Sequence, residues 1–120
     1  MKISEAVSRL DAYVSEAVDT DEKLFWLDRI EGIIYEELVM THEDEIPRPP
    51  SCSEGDRDLI CDEPYTDLYI YYMAMQRDMN MRDSVSYANN AAAFSAAYTA
   101  FADYYNRRHL PKKAAVKIGL

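Results

Sequence analysis

Apolar residues recur along the first forty positions with the three–four spacing of helices. Ile3, Val7, Leu10, Val14 and Ala17 form one stripe and predict a first helix. Asp19, with Glu22 three residues later, reads as a capping box that closes this stripe and starts the next. The second helix then runs over 20–39, with Leu24, Leu27, Ile30, Ile34 and Leu38 on one face, widened by Trp26 and Ile33. Gly32 in its middle costs about 1 kcal/mol against alanine unless a neighbouring backbone packs close to it.

The periodicity collapses over 41–64, where Pro47, Pro49 and Pro50 block regular pairing and only Leu59, Ile60 and Cys61 look able to bury anything. It resumes with a third helix over 65–81, for which Pro64 suits the first turn and Asp67 complements the positive helix end. Its first three turns are apolar nearly all round, so burial on every side is expected. In a chain this short, a neighbouring subunit is expected to supply part of the cover, with Tyr65, Leu68, Tyr69, Tyr71, Tyr72 and Met75 as the interface. A fourth helix, capped by Asp83 or Ser84, carries the stripe Tyr87, Ala91, Phe94, Tyr98, Phe101 and Tyr105. Beside that stripe lies a smooth face of Ala93, Ala96, Ala97 and Ala100, and Pro111 stops the helix. The fold class is all-α: two helical hairpins in one domain over 1–110, joined by a long acidic loop. An extended arm follows over 111–120, where Val116, Ile118 and Leu120 alternate with Lys117 and Gly119. Period-two alternation is strand-like, and such an arm either frays or docks on another chain.

Charge changes the picture more than composition does. The 120 residues carry a formal charge of −9, unevenly placed: residues 1–64 hold 18 acids and 6 bases, residues 65–120 hold 4 acids and 7 bases. A body this acidic is a poor general ligand for nucleic acid, whose phosphates need a basic footprint. No apolar run approaches membrane-spanning length. The first residues lack the apolar stretch of a signal peptide, so a cytosolic or virion-borne protein is expected. Glu43, Asp44, Glu45, Asp56 and Asp58 match no EF-hand spacing and read as a solvated acidic loop. In many copies around a shared channel they would repel phosphate and let nucleic acid pass without sticking.

Catalytic chemistry is sought and not found. The di-iron bundle motif needs Glu three residues before His, but Val39 precedes His42 and Asn106 precedes His109 at that spacing. His42 beside Glu43 reads as a solvated loop histidine. Three scattered glycines build no phosphate loop, and no Gly-x-Ser-x-Gly elbow is present. Cys52 and Cys61 fit no zinc ligand set and are expected to be reduced thiols. No enzyme, metal or cofactor is expected.

The run Glu63-Pro64-Tyr65-Thr66-Asp67-Leu68-Tyr69-Ile70-Tyr71 resembles the PYxDLYxxY start of small proteins from prophages of Gram-positive hosts. Tyr87-Ala88-Asn89-Asn90-Ala91-Ala92-Ala93-Phe94, then Ala97-Tyr98 and Asn106-Arg107-Arg108-His109-Leu110-Pro111-Lys112, is similar to the same group, the head–tail connector (adaptor) proteins of long-tailed phages. The resemblance implies a helical subunit of a homo-oligomeric, dodecameric ring under the portal protein, in contact with the next neck or tail protein. Genomic DNA would pass through without specific binding, and no membrane would be involved. It also implies that the C-terminal segment, with Lys112, Lys113, Val116, Ile118 and Leu120, reaches a neighbour or the portal. A departure lies at Met79-Asn80-Met81, where the group carries a glycine-bearing turn. A head-closure (stopper) protein, or a soluble helical regulatory module binding a partner through its acidic loop, is the alternative reading.

Overall fold

The computed structural model describes residues 1–42 and 45–112. Its α-helices are α1 (Ile3–Tyr13), α2 (Thr20–Ile34), α3 (Asp67–Asn80) and α4 (Ser84–Arg108). The all-α class is as expected, and among the described residues extended pairing is limited to two isolated bridges, Lys2–Asp58 and His42–Pro111.

Helix α1 is shorter than its stripe suggested: Ile3, Ala6 and Leu10 are buried, but Val14 is already extended and Ala17 lies exposed beyond the helix. Asp19 does occupy the N-cap of α2, yet its carboxylate makes no cap bond, so the expected capping box is absent. The second helical stretch reaches Val39 as expected, but its last turn, Tyr35–Val39, widens to π geometry, with Met40 N–H bonding Tyr35 O at 2.8 Å. Leu27, Ile30, Ile34 and Leu38 are buried with Trp26, whereas Ile33 faces outward. Among the described residues no backbone outside its own helix approaches Gly32. A Cβ there would meet only Arg48 Nη1, at an ordinary 3.7 Å. Gly32→Ala is therefore expected to stabilise the fold by about 1 kcal/mol, read as a raised urea midpoint at unchanged slope.

Helix α3 is the centre of the molecule, with α1, α2 and α4 all packed on it. Leu68, Tyr69, Ile70, Tyr72, Met73 and Ala74 are buried by the chain itself. Of the residues expected to face a neighbouring subunit, Leu68, Tyr69 and Tyr72 are thus covered within one copy, by the three helices that flank α3. Pro64 is not in the first turn either. It precedes the N-cap, Thr66, in the turn that bonds Tyr65 N–H to Asp62 O at 2.9 Å. The α3–α4 turn places Arg82 at φ 57°, the left-handed conformation that favours glycine, which strains this turn. Asp83 caps α4 as expected, accepting from Ser86 N–H at 3.1 Å.

The proline-containing segment is laced onto the helices rather than loose. The Tyr35 hydroxyl donates to Ile46 O at 2.6 Å, and Arg48 lies over the Tyr35 ring while pairing with Glu36 at 2.9 Å. Asp28 accepts from Cys52 N–H at 2.7 Å and from the Ser51 hydroxyl at 2.9 Å. Burial extends beyond Leu59 and Cys61 to Cys52 and His42, which sequence reading left in solvent.

Candidate interaction surfaces

Under this laced segment lies a buried polar knot built on Glu31, only 3% exposed. One carboxylate oxygen accepts from Arg57 Nη1 at 2.8 Å and the other from the Tyr69 hydroxyl at 2.6 Å, while Ile60 N–H reaches both at 3.2 Å. The Tyr69 hydroxyl in turn accepts from Cys61 N–H at 2.9 Å. Burial, more than its charged neighbours, raises the Tyr69 pKa well above the usual phenol value. Cys52 and Cys61 are free thiols beside this knot. Burial pushes the Cys52 thiol up to about 12 and moves Cys61 in the same direction, so both stay protonated and unreactive at neutral pH. The knot is full of partners, buried at Glu31 and Tyr69 and reaching the surface at Arg57. Its chemistry is structural.

His42 is likewise structural. Its ring bonds Leu38 O through Nδ1 and Asn106 Oδ1 through Nε2 at 2.9 Å, and it meets Tyr105 edge-on at 4.9 Å. It ties the end of the second helical stretch to the last turns of α4. The backbone continues that tie, since Lys112 N–H bonds Thr41 O at 3.0 Å beside the His42–Pro111 bridge. The root of the arm is thus fixed next to the start of the acidic segment. Glu43, Asp44, Lys113, Val116, Ile118 and Leu120 lie outside the described residues.

The other predicted residues divide by burial. Leu68, Tyr69 and Tyr72 are core, so they are unavailable to a neighbour. Tyr65 is half-buried, its ring 4.7 Å from Tyr104 and 5.9 Å from Phe101, and Tyr71 and Met75 are also half-buried. Glu45 is exposed. Asp56 and Asp58 are exposed but engaged with the chain's own start: Asp56 accepts from Ser4 N–H at 2.9 Å and its hydroxyl at 2.7 Å, and Asp58 pairs with Lys2 at 3.7 Å. The Ser4 bonds hold the Asp56 carboxyl below the usual carboxylate range. Asp56 therefore ties down the first turn of α1, and Asp58 sits at its start.

A second polar cluster, also missed from sequence, closes the opposite end of the bundle. Buried Asp78 accepts from Asn90 Nδ2 at 2.7 Å and Arg77 Nη1 at 3.0 Å. The Tyr13 hydroxyl donates to Asn90 Oδ1 at 2.8 Å, and Glu16 pairs with Arg77. The ends of α1 and α3 and the first turns of α4 meet there. Among the described residues no group of His, Cys, Asp and Glu is arranged to hold a metal, and no helix is long and apolar enough to cross a membrane. The chain matches no protein-family model, no curated protein and no solved structure.

Proposed function

We propose that this chain is a structural subunit of a phage neck, a head–tail adaptor that forms a ring below the portal and lets the genome pass. The observation that carries this reading is the anchored root of the arm. A helical body pins Pro111 and Lys112 against Thr41 and His42, which supports an arm whose role is to engage another protein. Leu110 beside that root is exposed, and Arg107 and Arg108 end α4 there with a basic face suited to a protein neighbour. Open acidic charge suits a wall past which DNA slides, because like charge repels phosphate.

Deleting residues 113–120 tests the reading while sparing the Lys112–Thr41 bond. Mixed with portal, the intact chain is expected to give rings by negative-stain imaging and a ring-sized mass by light scattering. The deletion is expected to keep its helical circular dichroism and lose the complex. Full retention of portal binding by the deletion, or a strictly monomeric intact chain in the presence of portal, would overturn the proposal.

A further inference from the structure

Beside the pinned root of the arm the body leaves an apolar hollow. A cavity of about 260 Å³ lies between the end of the second helical stretch, the laced segment and the last turns of α4. Val39, Ile46, Pro49 and Ile60 line it with Tyr105 and His109. Ile46 is 47% exposed at its lip, and the bond from the Tyr35 hydroxyl to Ile46 O holds that lip in place. Asp62, exposed on the rim, makes no ion pair among the described residues. Apolar walls with one unpaired acid at the edge suit an apolar segment that carries a cation.

The chain itself supplies such a segment close by. Pro111 lies two residues from His109 in the cavity wall, and its bridge partner His42 lies three residues beyond Val39. Two residues span at most about 7 Å and residues 113–120 at most about 29 Å, so the arm reaches the cavity with length to spare. In an extended arm Val116, Ile118 and Leu120 share one face, and Lys113 and Lys117 share the other. A lysine stem is long enough to lie along apolar surface and bring its charge back to a rim. So short a tether keeps the arm at an effective concentration of order millimolar, above that of a second copy at micromolar concentration. We infer that residues 113–120 occupy this cavity in their own chain, with the apolar face inward and Lys117 beside Asp62. The free chain then keeps its arm covered, and any protein that takes the arm must compete with the cavity. The inference concerns the chain alone and is tested without portal, so it fails separately from the neck reading.

A nitroxide on the arm of the full chain tests it. Cys52 and Cys61 are buried, protonated thiols, so a cysteine introduced by Gly119→Cys is the one that takes the label. The amide signals of Ile46, Ile60, Asp62 and His109 are expected to lose most of their intensity relative to the reduced label. Val116→Asp/Ile118→Asp, which leaves the body untouched, is expected to restore them. So is Ile46→Lys, a change at a side chain outside the core. Loss that persists in either variant would come from the tether alone and overturns the proposal, as does undiminished intensity in the parent chain. A mixture of isotope-labelled chain without nitroxide and unlabelled chain that carries it reads the other occupant. The same loss in that mixture assigns the cavity to a second copy's arm and overturns docking within one chain.

Discussion

Replacing Glu31 by alanine is expected to destabilise the fold by about 3–5 kcal/mol, the range for removing one partner of a buried ion pair. The cost lies less in the lost attraction than in what remains. Arg57 Nη1, the Ile60 N–H and the Tyr69 hydroxyl all donate to that carboxylate; the Ile60 N–H and the Tyr69 hydroxyl would be left without an acceptor, and Arg57 would keep its bonds to the Asp58 and Pro50 carbonyls. Glu31→Gln keeps the volume and one carbonyl oxygen, so its loss should be smaller. Tyr69→Phe leaves the Cys61 N–H without its acceptor and removes a donor from Glu31, a loss of about 1–3 kcal/mol. Urea unfolding of the three variants checks the order. A Glu31→Ala loss below 1 kcal/mol would mean that Leu59 and Cys61 hold the segment by burial alone, with the knot incidental.

Glu31 also shows where sequence reading stopped. The four helices were legible because their apolar stripes are long and periodic, and the caps and breakers at Asp83 and Pro111 agree with them. A hydrophobic pattern, however, treats a charged residue as a gap. Glu31 falls on the seam Leu27–Glu31–Ile34–Leu38, with spacing four, three, four, so its position was readable even though its residue type was not. Asn90 lies likewise on Asn90–Phe94–Ala97–Phe101, and His42 lies one turn beyond Leu38. All three are buried with partners remote in sequence, Arg57 and Tyr69, Asp78 and Tyr13, and Asn106. A polar residue on an apolar seam was the available signal. What it bonds to depends on how helices cross, which spacing along one strip cannot reveal. The excess of apolar residues in α3 signals burial, but sequence does not show how many helices share one centre, and here Leu68, Tyr69 and Tyr72 are covered by the chain's own helices.

Phe101→Ala is expected to cost about 3–5 kcal/mol, the range for deleting a large core aromatic. Phe101 is buried, with Tyr65, Tyr105 and Tyr104 rings at 5.9, 5.9 and 6.3 Å from its own. Three rings of fixed shape collapse poorly into the space it would leave, so the upper part of the range is favoured. Half-buried Phe94 and Tyr98, on the same stripe, should cost less when truncated. Tyr65→Ala combined with Phe101→Ala should be non-additive, since the second truncation no longer breaks the ring contact between them. A Phe101→Ala loss below 1 kcal/mol by urea unfolding would mean that the opposite face of α4 packs on α3. The stakes extend past stability. Phe101 sits one turn before Tyr105 and Asn106, the residues against which His42 is held. The rotation of α4 that buries Phe101 also sets where Arg107, Arg108 and Pro111–Lys112 emerge, so the core contact and the position of the arm's root are set together.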